Sequence, residues 1–266
     1  MRKYLLAGLT LVGVTLIVLL MFTGQSSARI DKKSVVGMWL FDEDKGNAAK
    51  DSSQNGTDGK YIGAPKLGDG KFGKGLELNG SVDYVDCGDV PSLNFTGEIT
   101  VVGWMTTTVI ARWNVIAAKE IWDTRSGWGL YLSTDRKPTF ETSSTQAIGA
   151  TAVATNTWYH LAGVADSSGN IRVYLNGEED GRGSSKLTTA KINLFIGARH
   201  PNSGAAGITD PFPGTLDEVA IFNVALTPDD IKSLMTDGLK KVIGIAAVSS
   251  ASKLTTAWGQ IKSEGD

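Results

Sequence analysis

Carboxylates, imidazoles and indoles are the side chains from which any chemistry of this chain would come, and their spacing narrows what it does. Retaining cleavage of a glycosidic bond needs two carboxyl groups about 5 to 5.5 Å apart, which a strand supplies when alternate residues face one side. The densest acidic runs, Glu120-Ile121-Trp122-Asp123 and Glu178-Glu179-Asp180, lack such a spacing and read as solvated loop or turn charges. Two histidines give poor support for a histidine metal centre or a triad. His160 alternates with Trp158 and Ala162 on a strand pattern and reads as a buried, hydrogen-bonded structural residue, whereas His200 falls in a loop where it can touch a ligand. No glycine-rich phosphate loop runs into a helix, and the chain reads as non-catalytic. Sugar recognition asks instead for an aromatic face with polar forks beside it. Trp122-Asp123-Thr124-Arg125-Ser126-Gly127-Trp128 has that composition and Arg112-Trp113 precedes the same strand pair, so Trp113, Trp122, Asp123, Arg125 and Trp128 are candidate ligand contacts. In an equally ordinary reading Trp128 packs in the core with Leu130 and only Trp122 lies outside. A second candidate is the loop Arg199-His200-Pro201-Asn202, which offers Arg199, His200 and Asn202.

The bulk properties exclude some partners and suggest a compartment. A formal charge of -2, without a basic stripe, argues against a nucleic-acid partner. At 266 residues, with 32 glycines, the chain suits one turn-rich all-β domain with tails. Arg2 and Lys3 precede the uncharged run 4–22, after which Ser26 and Ala28 place small residues where a signal peptidase cuts. The run is long for a signal core and near the length of a spanning helix. Residues 1–28 therefore read as a cleaved signal peptide or an uncleaved membrane anchor, and either puts the rest outside the cytoplasmic membrane. Cys87 stands alone, so no intrachain disulfide is available, and its strand face, shared with Val85, predicts a buried inert thiol.

Short alternating runs must position these groups. They include 35–41, 99–105 and 114–119, then 158–164 and 171–177, which form a hairpin across 166–170. Trp104 follows Val102 in period two and reads as core. The run 216–222 is a strand after the Pro211, Pro213 and Gly214 turn, and Thr227-Pro228-Asp229-Asp230 is a helix start: a threonine cap, proline at the first helical position and acids in the first turn. About a dozen short strands with one late helix predict an all-β fold, a two-sheet antiparallel sandwich of jelly-roll type. After Gly238 the pattern changes, and 239–266 reads as an extension, either an extra strand with Trp258 packed on the domain or an attachment segment.

The end of the chain, Gly214, Leu216, Asp217-Glu218-Val219, Ile221, Asn223 and Ala225-Leu226, resembles the closing strand of LamG-like jelly rolls in the concanavalin A-like lectin and glucanase superfamily. The entry is similar too: Trp39 and Phe41, then Asp51-Ser52-Ser53-Gln54-Asn55-Gly56, then Gly73, Gly75, Leu76, Leu78 and Gly80. Asn79 stands where the family usually has Asp. Trp158-Tyr159-His160-Leu161-Ala162 and Tyr174-Leu175-Asn176-Gly177 complete the resemblance, which covers 35–238. It implies a structural calcium where the first strand's end meets the closing strand, with Asp217, and Asp42 or Asp44, as ligands together with backbone carbonyls. The Glu-x-Asp-x-x-Glu pattern of glucanases with this fold is absent. The resemblance thus implies a bacterial exported binding module for a glycan or surface polymer. The alternative is a structural or protein-interaction module of the cell envelope, and a diverged glycosidase using Glu120 or Asp123 is a third.

Overall fold

This computed structural model describes residues 30–43, 46–53, 55–94, 96–110, 112–143, 145–201 and 206–244. The sequence runs through β1 (Val35–Trp39), β2 (Ala48–Ala49), β3 (Gly59–Ile62), β4 (Lys66–Asp69), β5 (Lys74–Asn79), β6 (Tyr84–Asp86), β7 (Ile99–Thr107) and β8 (Asn114–Ile121). It continues with β9 (Ser126–Leu132), β10 (Pro138–Thr142), β11 (Thr145–Ile148), β12 (Tyr159–Ala165), β13 (Asn170–Leu175), β14 (Glu178–Ser184), β15 (Phe195–Ile196) and β16 (Pro213–Phe222). Two helices follow, α1 (Pro228–Asp237) and α2 (Leu239–Ile243). The strands form two eight-stranded antiparallel sheets, the expected sandwich. One has the order β14-β13-β12-β7-β16-β5-β4, with β1 also on β16; the other is β11-β10-β9-β8-β15-β6-β3-β2.

Alternation along the strands puts one apolar set between the sheets. Trp39, Phe41, Leu76, Val101, Met105, Trp128, Leu130, Phe140, Leu161 and Ile221 belong to this core, as does Cys87, whose thiol is pushed well up by burial. The indole of Trp39 donates to Thr57 O at 3.1 Å, so even its polar atom is matched. The loop after β1 is held by Asp51, which accepts from Met38 N, Ser53 N and Thr57 N, and by Asn55, which donates to Val35 O and Val36 O. This gives the Asp-x-Ser-x-Asn-Gly stretch a structural role.

The outer face of the first sheet is covered by its own C-terminal segment. Val102, Ala162, Tyr174, Ala220 and Phe222 pack against Ile231 and Leu234 of α1 and Leu239 and Ile243 of α2. Helix α1 begins as the sequence predicts, with a capping box between Thr227 and Asp230 and proline in the first turn. Residues 239–243 are helical rather than an extra strand, because Leu239 and Ile243, four apart, share the buried face. The rest of the predicted extension, including Trp258, lies outside the described residues, as does the apolar run 4–22. Among the described residues no helix is long and apolar enough to cross a membrane.

β16 is flanked by β7 on one side, while on the other it pairs with β5 over 213–216 and with β1 over 219–222. A bulge between Asp217 and Ala220 marks the changeover, and there Glu218 adopts φ 50°. Glu178 and Glu179, expected in a turn, lie exposed on the edge strand β14, where charge discourages pairing with another chain.

Sheet-to-sheet contact is tight enough to test. A β-carbon at Gly163 would stand 2.1 Å from the Phe140 ring of the opposite sheet. Gly163→Ala is expected to cost about 1–3 kcal/mol in urea unfolding. A change under about 0.5 kcal/mol would mean that the sheets do not meet this closely there.

Candidate functional site

The outer face of the second sheet carries the polar chemistry. Register places Val115, Tyr131, Thr139 and Ile148 in one transverse row, and Ala118, Gly129, Glu141 and Gln146 in the next. The second row continues through Phe195, Asp86 and Lys60 to Ala48, crossing all eight strands. Val115, Ala118 and Tyr131 form an apolar cluster of their own, separate from the core, with Trp113 packed on it. Gly129 is required here, since a β-carbon would stand 2.3 Å from the Tyr131 ring and hydroxyl that lie across it.

Tyr131 Oη donates to Glu120 Oε2 at 2.5 Å. Arg199 reaches Glu120 Oε1 with Nη1 at 3.3 Å and grips Asp210 Oδ2 with Nε and Nη2 at 2.8 and 2.7 Å. The guanidinium lies 5.8 Å from the Trp113 ring and 5.7 Å from the Tyr131 ring, and those two rings meet edge to face at 5.7 Å. Glu120 is 3% exposed, so its expected role as a solvated loop charge is corrected: it ends the buried part of β8, on the face it shares with Ala118. Burial, then the charge of Glu141, pushes Glu120 up to about 7, against the pull of Tyr131 and Arg199. Glu141 itself accepts from Gln146 Nε2 at 2.6 Å.

Of the residues singled out in the sequence, Trp113 and Arg199 meet in this cluster. His200 lies farther along the same sheet, stacked on Phe195 at 3.9 Å with Nε2 3.2 Å from Asn193 O. Asp123 and Arg125 sit exposed in the connection after β8, which begins with a 3-10 turn, Trp122–Thr124. Trp128 is no ligand platform: it is 1% exposed in the core, because it shares a face with Leu130. The side chain of Trp122, and all of Asn202, lie outside the described residues. Tyr131, Asp210 and Glu141 went unremarked in the sequence, although Tyr131 alternates with Leu130 and so had to face away from the core.

The outer face of the first sheet holds a second polar corner. His160 pairs with Trp104, which pairs with Asp217. His160 is buried as expected and pushed down to about 3, but its Nδ1 and the Nε1 of Trp104 lack hydrogen-bond partners among the described residues. Phe72 packs edge-on to Trp104, and Lys71 Nζ lies 4.4 Å from its ring. Asp217 Oδ2 accepts from Lys71 N and Phe72 N at 2.7 and 2.8 Å, and Oδ1 from Glu218 N at 2.7 Å. Calcium needs six to eight oxygens, and these bonds leave one lone pair on Asp217. Asp42 Oδ1 accepts from Lys74 N at 3.0 Å, and its Oδ2 lies 4.0 Å from Lys240 Nζ. Asp44 is outside the described residues, among which no three His, Cys, Asp or Glu side chains gather to hold a metal. As placed, Asp217 ties the 70–73 turn to β16 and Asp42 ties the start of β5 to the segment after β1, and the two do not by themselves fit a calcium cage.

A sequence model described as the Concanavalin A-like lectin/glucanases superfamily matches residues 79–232, more than half of the chain. No curated protein matches. Among solved structures, domain 4 of an extracellular arabinanase from Geobacillus stearothermophilus, in complex with arabinotriose, aligns with TM-score 0.59 and 22% identity over 76% of this chain and 98% of that one. The binding domain of Paraclostridial Mosquitocidal Protein 1 aligns with TM-score 0.61 and 15% identity, covering 77% of this chain and 52% of that one. A sialidase from Trypanosoma rangeli aligns with TM-score 0.58 and 16% identity, over 80% of this chain and 34% of that one. At these identities the likeness is one of fold.

Two measurements check this electrostatic picture. Glu120 and Glu218 are raised to about 7 and Asp217 to about 8, so the folded chain holds these protons more tightly than the unfolded one. Their contribution to stability is full below the ordinary carboxyl range and is lost as pH rises through 7 to 8. Urea midpoints are expected to fall across that window, and less steeply in Glu120→Gln; a rising profile would show these carboxyls held charged. Asp217→Ala, which strands three N–H groups, is expected to cost about 2–4 kcal/mol in chelator and in calcium alike. A loss confined to calcium would assign Asp217 to a metal.

Proposed function

Because the chain belongs to the Concanavalin A-like lectin/glucanases superfamily, we propose that it is a non-catalytic carbohydrate-binding module whose ligand lies on the outer face of the second sheet, against Trp113. The observation that carries this reading is the fixed aromatic and guanidinium pair on that face. Trp113 is partly exposed, braced edge-on by Tyr131, with Arg199 beside it and Asp210 locking Arg199. An indole held in place by its neighbours offers a sugar ring an apolar face at little entropic cost. Asp210 and Arg199 keep 15% and 13% side-chain exposure, enough to meet hydroxyls at the rim.

The same geometry speaks for binding rather than cleavage. Glu120 and Glu141 are 3% and 4% exposed, and both Glu120 oxygens are already bonded, whereas a glycosidase carboxyl must touch the substrate. The neighbour solved with arabinotriose makes arabino-oligosaccharides a reasonable first probe, though its likeness carries no ligand over. Export, through the signal or anchor reading of 1–28, places the module where a surface glycan is met. A calcium ion held with the help of Asp44 belongs to this proposal and is decided by the Asp217 comparison above.

Binding to a glycan panel, followed by calorimetry on the best oligosaccharide, tests the reading. Trp113→Ala is expected to weaken binding by about tenfold or more while the chain stays folded, with only a modest fall in its unfolding midpoint from the lost packing on Tyr131. Asp123→Ala and Arg125→Ala are expected to leave it within about twofold. If those two substitutions abolish binding and Trp113→Ala does not, the site moves to the connection after β8. If no glycan binds and a protein partner is retained, the protein-interaction reading takes its place.

A further inference from the structure

One buried carboxylate has no use in the glycan site and no ion-paired partner, the nearest opposing charge being the Lys240 ammonium beyond ion-pairing distance. Glu218 is 5% exposed, and among the described residues no Lys, Arg or His lies within ion-pairing distance of it. Its Oε2 accepts from Leu239 N at the start of α2. The bulge of β16, with φ 50° at Glu218 itself, turns this side chain toward the outer face of the first sheet. There it lines a cavity of about 410 Å³ together with Phe72, Asp42, Asp237, Lys240 and Lys241.

The charges around this cavity are unevenly matched. At the rim Lys241 Nζ lies 2.7 Å from Asp237 Oδ1, and Lys240 Nζ 4.0 Å from Asp42 Oδ2. Three carboxylates therefore meet two ammonium groups, and the most buried of them, Glu218, shares Lys240 with Asp42 without an ion pair of its own. A buried carboxylate with only a shared and distant counter-charge is costly, and its natural complement is a cation that enters the cavity. We propose that the cavity binds a small organic primary ammonium, such as an amino sugar with a free amine, whose charge is received by Glu218.

An ammonium brings three donors and needs few fixed acceptors. Glu218 Oε1 and the rim oxygens of Asp42 supply them, and Phe72 offers an aromatic wall to the ligand body. A divalent metal would need six to eight oxygens and would meet two lysines at the entrance. The volume falls at the small end of the usual pocket range, about 300–1,000 Å³, which suits a monosaccharide-sized body. Lys240 is the internal competitor, since it already holds its ammonium near Asp42.

Calorimetry on the full chain with glucosamine, glucose, N-acetylglucosamine and calcium chloride tests the assignment. Glucosamine alone among the sugars is expected to bind, at millimolar strength. Glu218→Gln keeps an oxygen for Leu239 N and is expected to weaken binding by about tenfold or more. Asp42→Asn, at the rim, should weaken it by a smaller factor, and Lys240→Gln should strengthen it. Trp113→Ala should leave it unchanged, which separates this site from the glycan face. The proposal is overturned if glucosamine does not bind, if glucose binds equally well, or if Trp113→Ala abolishes the signal. Calcium binding that Glu218→Gln removes, without any binding of glucosamine, would give the cavity to a metal instead.

Discussion

One buried carboxylate meets three backbone N–H groups where β16 changes partner, and much of the first sheet depends on that junction. β5 ends its pairing with β16 just before Asp217 and β1 begins just after Glu218, so two residues span a gap in the ladder. A gap in a sheet leaves donors without acceptors, which is unfavourable away from water. Asp217 fills it from the side-chain direction, by receiving the amides of Lys71, Phe72 and Glu218. The 70–73 turn is thereby fixed over Trp104, and β1, β5 and β16 are held in one sheet.

The same junction explains the strained residue beside it. A continuous β16 could not hand over from one neighbour to another without absorbing an extra residue, and the bulge absorbs it at Glu218. The conformational cost is retained because β7 on one side, and β1 and β5 on the other, over-determine the path. A consequence is that an acidic side chain is aimed away from the inter-sheet core, toward the cavity beside α2.

The second sheet solves a different problem. Its outer face carries a polar cluster in which Tyr131, Glu120, Arg199 and Asp210 satisfy one another. Such a network is rigid when every member is paired, and rigidity is what lets the partly exposed Trp113 serve as a fixed surface. Alternation put Glu120 and Tyr131 on this face, but the bridge between Arg199 and Thr209 had to bring Arg199 and Asp210 together beside Glu120 to close the network.

The sequence by itself determined the all-β sandwich, the closing strand and the capped helix after it, because period-two alternation, turn residues and a Thr-Pro-Asp-Asp helix start are local signals. It also marked Trp104, Cys87 and His160 as buried, by the faces they share with their neighbours. Only the tertiary structure decided that Trp128 belongs to the core and Trp113 to the surface, since composition alone does not say which of two indoles near a turn faces out. It likewise decided that Glu120 is a buried partner of Arg199, seventy-nine residues away, and that Asp217 serves backbone amides. Those assignments rest on pairings between distant strands, and a carboxylate's role is set by the donors that the folded chain brings to it.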